Sequence, residues 1–171
     1  MPRPRRSKKT KEKKTKFKFK STERFLKGDP VHSNLVVSKF INQMMLDGKK
    51  TVAQKIVYTA MEMLGKRVED QEPLDAFLSA IDNVKPNIEV RSKRVGGATY
   101  QVPMEISRKR QQTLAIRVIV GNTRGRKGKP VAQCLADELH DAHQRQGASI
   151  QWRENTHKMA EANKLFAHFA W

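Results

Sequence analysis

Gly48-Lys49-Lys50-Thr51 is the first stretch whose residue types could do chemistry. A phosphate-cradling loop needs a glycine five residues before its Gly-Lys pair and a Ser/Thr hydroxyl directly after the lysine. Here residue 43 is Gln43 and Lys50 stands in the hydroxyl position, so the motif fails. Gly128-Lys129-Pro130 fails too, because proline has no N–H to offer a phosphate. His140 and His143 lie three apart beside Asp137, Glu138 and Asp141, a spacing that could face a metal. Leu135, Leu139 and Ala142 claim the buried side of that helix, which leaves a solvated acidic face as the favoured reading. Cys134, the only cysteine, falls in register with Val131 and Leu135 and reads as a small core residue rather than a nucleophile. With one cysteine there is neither a disulfide framework nor a cysteine-based zinc site, which favours a reducing compartment. His157 and His168, eleven apart on the last predicted helix, would share a face suited to packing or an RNA contact. No acid, base and nucleophile converge. The sequence predicts no enzyme, no metal and no cofactor.

The stronger chemistry is cationic. Arg91, Lys93 and Arg94 precede Gly96-Gly97, Arg108-Lys109-Arg110 follows, and a glycine-rich loop adds Arg124, Arg126, Lys127 and Lys129. The formal net charge is +18 and the pI about 10.3, and both follow from where the charges sit. Lys plus Arg outnumber Asp plus Glu by 13 to 2 in residues 1–27 and by 12 to 2 in residues 85–129. Residues 28–84 carry 6 against 8, and residues 130–171 carry 4 against 5. A near-neutral scaffold thus presents two cationic elements. Most surface charges are merely solvated, but such an excess, broken by glycines that let backbone approach phosphate, points to a polyanion. The first element begins Arg3, Arg5, Arg6, Lys8, Lys9 and continues to Lys20. Its repulsion and lack of apolar surface predict disorder in the free protein. Phe17 and Phe19 suit either stacking on bases or anchoring this extension to the fold. RNA is favoured over DNA: the cations are spread over a tail, a ribbon and loops, and no helix-turn-helix has a base-reading face.

These groups need elements to hold them. Ser33 is the predicted N-cap of a helix carrying Leu35, Val36, Val37, Phe40, Ile41, Met44 and Met45, which Asp47-Gly48 stops. A second helix from Thr51 puts Val52, Ala53, Ile56, Val57, Ala60, Met63 and Leu64 on one stripe. A third runs from Pro73 to Pro86. Only then does the period change to two, over about 87–93 and 99–106, with Gly96-Gly97 between: a β-ribbon. Regular pleating sets Arg91 and Lys93 opposite Ile88 and Val90, so the cations should face outward while the apolar face packs on a helix. A fourth helix from Arg108 weakens at Gly121-Asn122, and Gly125, Gly128 and Pro130 define the loop after it. A fifth runs from Pro130 to about Gln146 with Gly147 as C′ residue. Residues 148–153 connect, with Trp152 over the core, to a last helix from about Glu154 that carries Met159, Ala160, Asn163, Phe166 and Ala167. The expected fold is mainly α, a six-helix bundle-like domain over 28–171 with one protruding β-hairpin at about 87–106. Residues 1–27 form a basic, disordered RNA-binding extension. No apolar run approaches the ~18 residues that span a bilayer. With no hydrophobic leader, a cytoplasmic protein without membrane contact is expected.

At three places the chain resembles bacterial-type small-subunit ribosomal protein seven. They are Asn34, Val36, Phe40-Ile41, Gly48-Lys49-Lys50, Ile56-Val57 and Ala60 in the first two helices; Arg91 to Pro103 in the ribbon; and His157 to His168. The resemblance covers roughly residues 28–171. It implies a helical domain with a protruding hairpin and a primary rRNA-binding protein that organises the 3′ major domain, the head of the small subunit. It also implies a site at the subunit interface near exit-site tRNA and the mRNA, faced by the tip Arg94, Val95, Gly96 and Gly97. Ribosomal proteins nine and eleven would be neighbours. By position, rRNA contacts would come from Lys49, Lys50, Arg91, Lys93, Arg94, Arg108, Lys109, Arg110 and the basic tail. The Lys-rich stretch Ser7–Lys20 is longer than the usual arm of that family. Val120 to Arg126 departs from its Ala/Arg-rich helix, so a looser helix end is expected there. The ribosome would be cytoplasmic, with an organelle ribosome the less favoured setting. A free-standing nucleic-acid regulator, binding for instance its own messenger, is the rival reading, and a metal enzyme at His140 and His143 the third.

Overall fold

The computed structural model describes residues 25–170; Arg3, Arg5, Arg6, Lys8, Lys9, Phe17 and Phe19 lie outside the described residues. In chain order come α1 (Leu35–Met44), α2 (Lys50–Arg67), α3 (Pro73–Val84), β1 (Ile88–Val95), β2 (Ala98–Glu105), α4 (Arg108–Gly125), α5 (Val131–His143) and α6 (Gly147–Ala162). A short 3-10 segment, Lys164–Phe169, follows α6. The fold is mainly helical with one antiparallel hairpin, as the periodicities predict.

α5 lies at the centre and packs against α2, α3, α4 and α6. Its Leu135, Ala136 and Leu139 meet a core built from Val37, Phe40, Ile41, Val57, Leu64, Phe77, Ile81 and Ile119. Phe40 of α1 and Phe77 of α3 join edge to face, 5.2 Å between centroids. Each large apolar side chain so buried contributes roughly 1.5–3 kcal/mol. In α2 the buried stripe is Ala53, Val57, Ala60, Met61 and Leu64, with Val52 53% exposed. At about 100° per residue Val52 falls well off the line through Ala53, Val57 and Leu64, whereas Met61 flanks it.

Three boundaries differ from expectation: the cap of α1, the end of α5 and the start of α6. Asn34, not Ser33, caps α1: its Oδ1 accepts from the Val36 N–H at 2.7 Å, while Ser33 sits at φ 51. α4, by contrast, runs through Gly121 to Gly125, where the glycine-rich loop begins. Beyond Gly121, Asn122 donates to Ser149 Oγ at 3.0 Å and buried Thr123 to the Ile119 carbonyl at 2.8 Å, so local contacts override the weak propensity. α5 ends at His143, with Arg145 taking the left-handed φ of 58. Gly147 opens α6 instead of closing α5, and residues 148–153 are helical. A Cβ on Gly147, whose φ is 86, would lie 2.9 Å from Asp141 Cβ. The chain turns there because that residue has no side chain.

The stripe of α6 was hidden because two of its buried residues are polar, Ser149 and Thr156. Glu138, 1% exposed, accepts from both the N–H (3.2 Å) and the Oγ (2.5 Å) of Ser149 and from Arg126 Nε at 3.0 Å. Arg126 also reaches Asp141 at 2.8 Å. This half-buried ion pair fastens the end of α4, the middle of α5 and the start of α6 together. α6 ends at Ala162, so His157 and His168 do not share a helix. His157 Nε2 accepts the Asn87 N–H at 3.1 Å, and His168 Nδ1 donates to the Leu165 carbonyl at 2.8 Å.

The ribbon closes on Gly96 and Gly97, with φ of 57 and 91, so the strands run closer to the tip than alternation suggested. Positive φ at both central residues is the geometry that lets two twisted strands meet in a two-residue turn. Register pairs Glu89 with Met104, Arg91 with Val102, and Lys93 with Tyr100. Directly paired residues share a face. Arg91 and Lys93 therefore stand on the side of fully buried Val102, not on an outward face opposite the packed one. The expectation failed because it took the apolar residues of β1 as the packed side. The apolar residues of β2 decide it: Val102 is fully buried, and Tyr100 packs against Phe166 and Phe169 of the 3-10 segment.

Candidate nucleic-acid interface

Each predicted cation has a distinct position. Lys49 and Lys50 open α2, and Arg108, Lys109 and Arg110 open α4; neither helix has an acidic residue in its first turn. Helix N-termini carry partial positive charge and unsatisfied N–H groups, so cations there are unfavourable until an anion arrives. Two helix starts loaded in this way make two strongly positive spots.

Arg110 has a second duty. Its Nη2 and Nε donate to the two Glu89 carboxylate oxygens at 2.7 and 3.2 Å, and Arg91 reaches the same group at 3.3 Å. The Arg110 hydrogen bonds, against the opposing effect of burial, hold the Glu89 carboxyl below its usual range. This pair ties the hairpin root to α4. Lys93 donates to the Phe169 carbonyl oxygen at 2.8 Å.

Most cations around the glycine-rich loop have partners within the protein. Arg124 donates to the carbonyls of Met44 (3.2 Å) and Gln43 (3.4 Å), groups left unpaired at the end of α1. Arg126 is held by Glu138 and Asp141, and Lys129 by Asp137 at 3.0 Å. Asp137 also accepts from Arg67 at 2.7 Å; burial raises its pKa, and the hydrogen bonds from Lys129 and Arg67 outweigh that and leave it lowered. Thus the carboxylates beside His140 and His143 serve ion pairs. Cys134 is buried, 3.6 Å from the Lys129 carbonyl. Lys49, Lys50, Arg94, Arg108 and Lys127 are exposed and form no ion pair among the described residues.

Sequence reasoning overlooked Arg117. It is exposed on α4, in line with exposed Lys109 and Thr113 before it and Gly121 after it, all four apart. Nothing lies within 4 Å of where a Cβ on Gly121 would stand. The signal was present in the four-residue spacing, but Arg117 lies between apolar residues and belongs to no cationic run. Beside it, Lys39, Asn42, Gln43, Thr113 and Ile116 line a shallow groove of about 240 Å3 between α1 and α4.

A helical body that turns cations outward from two helix starts, one hairpin and one helix face is the architecture of a nucleic-acid-binding scaffold protein. Comparison with known sequences narrows that class. Residues 6–164 match the family model described as "Ribosomal protein S7p/S5e". The chain belongs to this family of structural, non-enzymatic components of the small ribosomal subunit. It is 57% identical over 152 residues to "Small ribosomal subunit protein uS7" of Rhodopirellula baltica, covering 88% of this chain and 97% of that relative. The protein of the same name from Nautilia profundicola is 54% identical over 152 residues, covering 89% and 97%. That of Chlamydia pneumoniae is 49% identical over 149 residues, covering 87% and 95%.

Proposed function

We propose that this protein binds small-subunit rRNA and organises assembly of the 3′ major, or head, domain. In this reading it lies at the subunit interface near exit-site tRNA and the mRNA path, with ribosomal proteins nine and eleven as neighbours, in the cytoplasm. The observation that carries the binding role is the pair of helix N-termini, α2 and α4, loaded with Lys49, Lys50, Arg108 and Lys109 and lacking first-turn acids. Phosphate placed there meets side-chain charge, helix dipole and open N–H groups together.

The cations then divide by task. Lys49, Lys50, Arg94, Arg108, Arg117 and Lys127 reach phosphate, and Lys109 joins them at the start of α4. Arg91, Lys93, Arg110, Arg124, Arg126 and Lys129 first hold the hairpin, α1 and α5 in place, and contact RNA with whatever donors remain. The tip Arg94 to Gly97 faces tRNA and mRNA, and the basic extension over residues 1–27 adds phosphate contacts of its own.

Two measurements test this. The native protein should co-sediment with small subunits at high salt. Binding to head-domain rRNA fragments should weaken steeply with salt, at a slope of roughly −0.7 to −0.9 per phosphate neutralised. Equal affinity for random duplex DNA would sink the reading in favour of a general nucleic-acid binder.

A further inference from the structure

The hairpin leaves the body as a two-stranded arm, yet its middle is held. Tyr100 of β2 packs against Phe166 and Phe169 of the 3-10 segment, at 5.1 and 5.2 Å between centroids. Lys93, paired with Tyr100 across the ribbon, donates to the Phe169 carbonyl. In a 3-10 helix residues three apart share a side. Phe166 and Phe169 therefore face Tyr100, while Lys164 and Ala167 line a groove between α6 and the hairpin root. That groove, about 550 Å3, is also lined by Ile88, Pro103 and Met104 and gives the arm room to swing. The 3-10 segment contributes no buried residue, so its rings serve the hairpin rather than the core. Beyond Tyr100 and Lys93 only the tip remains, from Arg94 to Thr99, and all of it but half-buried Val95 is exposed.

We propose that Lys164–Phe169 is a strap that fixes the angle of the hairpin, making Phe166 and Phe169 positioning residues for whatever the tip touches. The strap is a property of the free protein; only its consequence for the tip rests on the ribosomal reading above.

Amide hydrogen exchange on the full chain tests the strap directly. In the double variant Phe166→Ala/Phe169→Ala, and separately in Tyr100→Ala, amides of residues 91–102 should exchange roughly five- to tenfold faster. Combining the three substitutions should add little, since they remove one shared contact. Tyr100→Phe should keep the protection. Amides of α2 and α5 should be unchanged. Unaltered hairpin exchange in the double variant would overturn the proposal, and so would parallel acceleration in α2 and α5, which would make the rings part of the global fold.

For the tip, Ala98→Cys gives an exposed attachment point for a crosslinker while the native Cys134 stays buried. In reconstituted small subunits the double variant should incorporate normally but shift the crosslinks made from residue 98. Unshifted crosslinks with faster hairpin exchange would overturn the positioning role. Failure of the unsubstituted protein to incorporate would count against the ribosomal reading, and the exchange result would still decide the strap.

Discussion

At the scale of single residues, two cationic side chains one position apart have opposite duties. Arg126 is held by two carboxylates, one of them almost wholly buried, whereas the neighbouring Lys127 is exposed with no ion pair among the described residues. Removing Glu138 would leave the Arg126 guanidinium with Asp141 alone and strip buried Ser149 of its acceptor. Glu138→Ala should cost about 3 kcal/mol, read as a lower urea midpoint, with Glu138→Gln milder. Lys127→Ala should leave that midpoint unchanged and flatten the salt dependence of RNA binding by about one phosphate. If the two variants behaved alike in both assays, the division of labour among the cations would be wrong. Tyr58 shows the same structural use of polarity: burial, helped by the hydrogen bond it donates to Asp29, pushes its phenol up to about 12.

At the scale of elements, the hairpin root is a pH-sensitive joint. Glu89 is depressed in the folded state by Arg110, so the stability it lends is complete above the ordinary carboxylate range, about 4.3, and lost as pH falls through the lowered value. Hairpin amides should therefore lose protection below about pH 4 before those of α5 do. In Arg110→Ala that protection should already be weaker at neutral pH and less dependent on acid. Equal acid sensitivity in both proteins would mean that Glu89 does not govern the root. The sequence made most elements legible because Val37, Phe40, Ile41 and Met44 in α1, and Phe77, Ile81 and Val84 in α3, recur with a clean helical period, and the glycine pair marks the turn. It hid the first two turns of α6 because Ser149, a polar residue, occupies a buried position on hydrogen bonds no periodicity reveals. It marked a weak spot at Gly121, where the partners of Asn122 and Thr123 carry α4 on to Gly125. The candidate interface was half legible. Runs of Lys and Arg were plain, but which of them meet carboxylates from α5 depends on tertiary contact, and Arg117 sat in no run.

At the scale of the whole molecule, charge opposes compactness. Twelve cations against two acids between residues 85 and 129 repel one another across the hairpin and α4 in the absence of RNA. Added salt screens that repulsion within a Debye length of about 10 Å at 0.1 M. Calorimetry of the free protein should find Tm rising by a few degrees as ionic strength increases, the reverse of a fold held mainly by surface ion pairs. A falling Tm would show that pairs such as Arg67–Asp137 outweigh the repulsion. The two-stranded ribbon also has an unpaired outer edge on each strand, and such edges invite strands from other molecules. Here Pro103 interrupts the donors of β2, and Arg91, Lys93 and Arg94 make any approaching second ribbon a like-charged one. The cations of the arm thus double as a guard against self-association while no RNA covers them.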